Sequence, residues 1–334
     1  MDDLKNKSFW IIGIVIIVII GLTNHIQRHH STHEEKHIGV LLSGDVRYLK
    51  LDGLIDGMKE QGLLNGVHYQ LTIKSAEDDI DKMQEMGRQL VSEEPDVLVA
   101  LGGVEGDAIK EALIALNKQI PLVFAGVASS KERGWTDNER IAVTGVDNSH
   151  GELAGKRLEM LQQLLPDIKR ILIVYDPLVT PALHSMPIVE QAAELLEIEI
   201  VGFPVANQQY LKNEFRNVLS EQKFDGIVYL SSFFLEATFD EMVETAAEYK
   251  VPIMGVNEYE SYKGSFASYG VPYYYQGMQA APMVAKVLSG QKIEQMPIEF
   301  PDRIELVVNM KVAELYGLHV STTGLRYASH ILYE

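Results

Sequence analysis

The chain has no cysteine among its 334 residues, which removes disulfides, cysteine nucleophiles, thiolate metal sites and a lipid-modified cysteine together. Positive charge is also scarce: 29 lysines and arginines face 47 aspartates and glutamates, for a formal net charge of −18. Such a chain offers no phosphate-tracking surface, which argues against nucleic acid as a partner. Catalytic signatures are missing as well. Leu101-Gly102-Gly103-Val104-Glu105-Gly106 is glycine-rich after an apolar run, yet it is not G-x-G-x-x-G and no Gly-Lys-Ser/Thr comes after it. No G-x-S-x-G turn occurs, and His68, His150 and His184 stand alone, without spacing that nominates a base or a metal ligand. Surface or helix-capping roles fit these histidines. The expectation is a protein that is not an enzyme, with no catalytic residue, cofactor or metal site in its globular part.

What the chain does have is 46% hydrophobic residues, enough for about two well-packed domains at roughly 150 residues each. Residues 1–37 hold four basic and four acidic residues, so the whole negative charge belongs to residues 38–334. Within the amino-terminal stretch, Phe9 to Leu22 reads FWIIGIVIIVIIGL, with no charge. Its apolar side chains favour insertion into a bilayer by about 3–7 kcal/mol. Fourteen residues span only about 21 Å of helix, so a spanning segment extends to Ile26. No small-residue cleavage site lies after Leu22, which favours an uncleaved anchor over a removed signal peptide. We read 1–8 as a cytoplasmic stub, 9–26 as a signal anchor and transmembrane helix, and the acidic bulk as lying outside the cytoplasm. Residues 27–37 form a histidine-rich linker. On a helix His29, His33 and His37 would share one face with zinc- or copper-compatible spacing, although a solvated linker is the simpler reading.

Beyond residue 37, short apolar runs alternate with amphipathic stretches. Candidate strands are Ile38–Leu42, Tyr69–Ile73, Val97–Leu101, Leu122–Ala125, Ile141–Val146, Ile171–Tyr175, Ile198–Val201, Ile227–Leu230, Ile253–Val256 and Ile304–Val308. Runs this continuous suit strands covered on both faces of a parallel sheet. Between them lie helical stripes such as Ile109, Ala112, Leu113 and Leu116, or Ala154, Leu158, Leu161 and Leu165, the latter ended by Pro166. Gly62, Gly66 and Gly202 mark other element ends, and Glu77-Asp78-Asp79-Ile80-Asp81 reads as a helix start. The fold class is α/β, with two Rossmann-like lobes built on parallel sheets. Residues 38–147 plus about 270–292 form the first lobe, 148–269 plus about 293–320 the second, and 321–334 a tail.

In open parallel sheets ligands sit beyond the carboxyl ends of strands. That rule selects Ser43 and Asp45; Gly102, Gly103 and Glu105; Val127 and Ala128; Tyr175; Ser231, Ser232 and Phe233; and Asn257 and Glu258. Gly102 and Gly103 would let helix N–H groups approach a ligand carboxylate, the serines would supply hydrogen bonds, and Phe233 and Tyr175 would stack on a planar part. Tyr273-Tyr274-Tyr275 enters a helix and reads mainly as packing within a lobe.

PDVLVALGG (95–103), IPLVFAGV (120–127), IAVTGVD (141–147), LLPDIKRILIVYDP (164–177), YGVPYYYQGMQAA (269–281) and IELVVNMKVAELYGL (304–318) run in order along the chain. In these segments the sequence resembles substrate-binding proteins of ABC transporters with the type I periplasmic-binding fold, in the group that includes tryptophan and tyrosine transport-associated proteins. The resemblance implies three crossovers between the lobes, an extracytoplasmic location and binding without catalysis. It also implies a small-molecule ligand, aromatic or amino-acid-like, and ABC permease and ATPase subunits as partners. The alternative is a sensing ectodomain acting through a separate membrane signalling protein. Family members carry an aspartate after the strand equivalent to Ile227–Leu230, where this chain has Ser231-Ser232-Phe233. Glu105 or Glu258 would then have to meet a ligand ammonium, unless both are ordinary exposed carboxylates.

Overall fold

The computed structural model describes residues 35–131, 133–135 and 141–333. The predicted anchor (9–26), the stub before it and most of the histidine-rich linker fall outside that range. Among the described residues no helix is long and apolar enough to cross a membrane.

The first sheet contains β1 (Lys36–Leu42), β2 (Tyr69–Ser75), β3 (Val97–Ala100), β4 (Leu122–Val127) and β5 (Val143–Asp147). Its order is β2-β1-β3-β4-β5 and every pairing is parallel. The second sheet contains β6 (Arg170–Tyr175), β7 (Glu199–Pro204), β8 (Gly226–Tyr229), β9 (Ile253–Gly255), β10 (Ala267–Gly270), β11 (Glu305–Asn309) and β12 (His330–Leu332), in the order β12-β11-β10-β9-β8-β6-β7. Each sheet is covered on both faces by a separate apolar core, which explains why inner strands such as β3, β6 and β8 read as hydrophobic runs.

Several expectations need correction. Strand β1 starts at Lys36, and His37 lies within it with Nε2 2.8 Å from Thr72 Oγ1, so it shares no helical face with His29 and His33. The second sheet is not wholly parallel, because β11 runs antiparallel to β10. The tail is part of the fold: β12 pairs with β11, and the Ser321 N–H donates to Leu164 O. Residues 293–299 side with the first lobe, since Ile293 and Met296 enter its core and Glu299 bridges to Val146. Leu116 is 40% exposed and lies outside the stripe assigned to it, and Gly202 sits inside β7 rather than at its end.

The helices follow the sequence patterning. In α1 (Tyr48–Glu60) the buried face carries Lys50, Leu51, Leu54 and Met58. Helix α2 (Ile80–Ser92) starts at Asp79, whose carboxylate accepts from the N–H groups of Asp81 and Lys82. Helix α3 (Gly103–Ala115) follows β3, and α4 (Leu153–Leu164) stops before Pro166. Further along lie α5 (Thr180–Leu196), α6 (Gln208–Glu221), α7 (Phe233–Ala237), α8 (Phe239–Tyr249) and α9 (Glu258–Tyr262), with α10 (Tyr273–Leu288) and α11 (Met310–Tyr316) after them.

Helix α10 leaves the second lobe and packs along α1, β4 and β5 of the first. Glycines allow the close approach. A Cβ on Gly53 would lie 1.9 Å from Tyr274 O, and one on Gly277 1.9 Å from Lys50 O. The chain therefore crosses between lobes three times, at 148–152, 271–272 and 300–304. Arg157 of α4, fully buried, fastens the first two crossovers: Nη1 donates to His150 O at 2.8 Å and Nε to Tyr269 O at 2.8 Å.

Candidate ligand-binding cleft

In each sheet the strand order reverses beside the strand that starts the lobe, between β1 and β3 in the first and between β6 and β8 in the second. The crevice at such a switch point is where open α/β sheets take ligands. Two connected cavities occupy the space where the crevices face each other. The larger, about 300 Å³, is lined by Asp45, Arg47, Asp78, Phe233, Glu236 and Tyr273 among others. The smaller, about 40 Å³, lies against Lys50, Gly102, Gly103, Arg133, Ser231 and Ser232 and shares Arg47, Phe233, Glu236 and Tyr273 with the first. A hollow of about 960 Å³ also opens on the first lobe, beside Lys36, Asp96, Pro121 and Val143. Those residues lie at the amino ends of the strands, opposite the crevice, and the hollow is not the candidate site.

Arg47 is the centre of the cleft. It lies in a 3-10 turn, Asp45–Arg47, directly before α1, and is 6% exposed. Its Nη2 donates to Glu236 Oε2 at 2.8 Å, while its Nε lies 3.4 Å from Glu105 Oε1. Burial works against the guanidinium charge, but Tyr273, Glu236 and Glu105 outweigh it and hold the pKa above the ordinary arginine value. Glu236 sits on α7 of the other lobe and accepts from the Ser231 and Tyr273 hydroxyls at 2.8 and 3.3 Å. Burial opposes its ionisation too, yet Arg47 and Ser231 prevail and keep it below the usual carboxylate range, so it is charged at neutral pH.

One turn along α1, Lys50 donates to Ala125 O and Gly126 O, both at 3.0 Å. Its ammonium lies 4.8 Å from the centre of the Tyr273 ring, and the Arg47 guanidinium carbon lies 5.1 Å from it. Burial first, then Arg47, pushes the Lys50 pKa well below its ordinary value. Asn148 Nδ2 also donates to Gly126 O, at 3.1 Å. Gly126 has φ +73°, and a Cβ there would meet Gln276 Oε1 at 1.5 Å, so this turn requires glycine.

The residues chosen by the strand-end rule divide into two groups. Ser43, Asp45, Gly102, Gly103, Ala128, Ser231, Ser232, Phe233 and Asn257 line one cavity or both. Ser232 and Asn257 do so while capping α7 and α9 with their side-chain oxygens. Glu105 is fully buried below the cleft, accepting from the Ser43 N–H at 3.0 Å and balancing Arg47, and it lines neither cavity. Val127 is in the core between β4 and α3, and Tyr175 packs on the core of the second lobe. Glu258 turns away from the cleft to the start of α10, where its Oε1 accepts from the Tyr273 N–H at 2.8 Å.

Arg47, Lys50, Glu236 and His150 are not among the residues expected at the cleft, and Tyr273, expected mainly to pack within a lobe, also reaches the cleft with its hydroxyl. The carboxylate that disappears after β8 returns five residues beyond Ser231, on the first turn of α7. His150 is not a surface residue. It is 5% exposed, and its Nδ1 lies 2.7 Å from Arg157 Nη2. A guanidinium can only donate, so Nδ1 accepts and the ring proton sits on Nε2. Burial and the Arg157 charge depress the histidine pKa well below 6.5, keeping it neutral.

Glu258 carries a pH signature. Burial lifts its pKa to about 7 against the pull of the Tyr273 N–H; Glu305 of β11 pushes the same way as burial and Lys50 of α1 opposes. A carboxyl whose folded pKa exceeds its unfolded value stabilises fully below the unfolded pKa, near 4.5, and loses that contribution as pH rises through 7. The loss amounts to about 3 kcal/mol when complete. Glu258→Gln is therefore expected to gain melting temperature relative to the parent between pH 5 and pH 8. An equal difference at both pH values would refute the assignment.

Against known proteins, residues 37–331 match the family model for ABC transporter substrate binding proteins. The chain belongs to that family. A curated relative, the tyrosine-binding protein of Clostridioides difficile strain R20291, is 20% identical over 338 residues, covering 96% of each chain. Among solved structures, a conserved domain protein from Vibrio cholerae superposes with a TM-score of 0.78 at 24% identity, covering 89% of this chain and 99% of that one. A Streptococcus pneumoniae ABC domain in complex with L-Trp gives 0.79 at 20% identity, covering 89% and 100%. These likenesses agree on two α/β lobes. As an ABC substrate-binding protein the chain is a solute binder and not an enzyme. Among the described residues no group of three or more histidine, aspartate or glutamate side chains is placed to hold a metal ion.

Proposed function

We propose that this chain captures an amino-acid-like molecule with a planar or aromatic part between its lobes and delivers it to ABC permease and ATPase subunits, held outside the cytoplasm by its amino-terminal apolar segment. The observation that carries the reading is the meeting of opposite charges from opposite lobes, Arg47 and Glu236, where the two cavities join. A ligand carboxylate is drawn to the smaller cavity, where Arg47, Lys50, Arg133 and the N–H groups at the start of α3 converge. A ligand ammonium is drawn to the larger one, where Asp45 and Asp78 face the opening. Phe233 and Tyr273 supply the flat surfaces between them. The tyrosine-binding relative and the structural neighbour in complex with L-Trp support the same class of ligand.

The test is a thermal-shift series with L-tyrosine, L-tryptophan, L-phenylalanine, their amides and their des-amino acids. A ligand at 100 times its dissociation constant stabilises by about 2.7 kcal/mol. Shifts are expected with the free amino acids and not with the amides. No shift across the whole series would defeat the proposal. The location is checked separately by fractionating cells and probing the intact protein with external protease.

A further inference from the structure

Arg47 and Glu236 do more than line the cleft, because their contact spans it. Arg47 is anchored to the first lobe, with its guanidinium facing the Tyr273 ring and Glu105. Glu236 is anchored to the second by the Ser231 hydroxyl. Their direct hydrogen bond, with side chains 8% and 14% exposed, ties the two halves together. Of the five donors on the guanidinium, one makes a hydrogen bond among the described residues, and Nε is buried without any. The small cavity thus carries three cationic side chains, Arg47, Lys50 and Arg133, and Arg133 is already paired with Asp107. One acidic side chain, Glu236, reaches in from the opposite lobe. It accepts from Arg47 Nη2, a donor that a carboxylate entering this cavity would also use.

Resting on the function proposed above, we propose that Glu236 is a tethered stand-in for the ligand's anionic group: it latches the empty cleft shut through Arg47, and a ligand enters by displacing it. The latch explains how a site built for an anion tolerates being empty. Glu105 and Asp107 balance part of the positive charge here, and a carboxylate from the other lobe adds the counter-charge that faces the cavity itself. It also sets specificity, since a neutral solute cannot compete for Arg47. Every ligand's affinity is lowered by the stability of the latched state, so removing the latch tightens anion binding.

Two measurements on the full chain test this. The first needs no ligand: small-angle scattering of the unliganded protein at low salt, comparing the parent with Glu236→Gln and Glu236→Ala. The parent is expected to be compact and both variants expanded, with the parent also expanding at high salt. Identical scattering from all three would overturn the latch, whatever the ligand is. The second is calorimetric titration with 3-(4-hydroxyphenyl)propionate, a carboxylate without an ammonium. Glu236→Gln is expected to bind it about tenfold more tightly than the parent, the gain that comes from removing one charged competitor. Unchanged or weaker binding would overturn the displacement step. If no amino acid or des-amino acid binds any variant, the function proposal fails, while the scattering result still decides the latch.

Discussion

Replacing Arg157 with methionine is expected to lower folding stability by about 3–5 kcal/mol, the range seen when a buried, hydrogen-bonded charge is removed and its partners are left behind. The side chain is fully buried and makes three contacts of 2.8 Å or less, to Tyr269 O, His150 O and His150 Nδ1. Burial lowers its pKa to about 10, with Tyr229 and Glu260 opposing, so it remains charged at neutral pH. Two of its three acceptors are backbone carbonyls beside crossovers, and the third is a neutral imidazole. The loss therefore falls on the segments that join the two lobes. Arg157→Lys is not expected to rescue, because one ammonium cannot reproduce the planar fork that meets both chain segments at once. Urea unfolding of the two variants checks this, and a lysine variant as stable as the parent would show that charge, not geometry, is what the site needs.

The second large effect is at Arg47. Arg47→Met leaves Glu105, fully buried, and Glu236, largely buried, without their common counter-ion. Breaking a buried pair in this way costs about 3–5 kcal/mol. Combining it with Glu236→Gln is expected to recover much of that loss, since one of the stranded carboxylates is then neutral. The two changes are non-additive because their side chains touch. No variant lacking Arg47 is expected to give a thermal shift with L-tyrosine, however stable it is. A double variant no more stable than Arg47→Met would show that Glu236 is not the stranded charge, and retained binding would remove Arg47 from the ligand site.

Much of this architecture is legible in the sequence, and the illegible parts share a cause. The strands of both lobes announce themselves because parallel strands covered on both faces must be continuously apolar. Strand β10, Ala-Ser-Tyr-Gly, gives no such signal: Ser268 faces inward and bonds to the Ser261 hydroxyl at 2.8 Å, a polar contact no periodicity reveals. Strand β12 is three residues long and half exposed. The end-of-strand rule locates the cleft loops but not the direction of each side chain, so it includes Val127 and Tyr175 although they point into cores. Arg47, Lys50 and Glu236 look like ordinary charges on solvated helix faces when read along the chain. Their importance comes from what meets them across the gap, and that depends on contacts nearly two hundred positions apart. Likewise Gly53 and Gly277 resemble incidental glycines in helices until the other helix is laid against them.

The return of α10 to the first lobe has an implication for how the molecule is made. That lobe lacks the helix covering β4 and β5 until residues 273–288 exist, and the second lobe lacks two strands of its sheet until 305–332 exist. A nascent chain paused between residues 170 and 272 holds two unfinished halves with exposed apolar faces, the kind of surface that makes incomplete chains prone to aggregate. Deleting the final thirty residues would thus be a lesion of biogenesis, seen as protease-sensitive or aggregated product, rather than the trimming of an ornamental end.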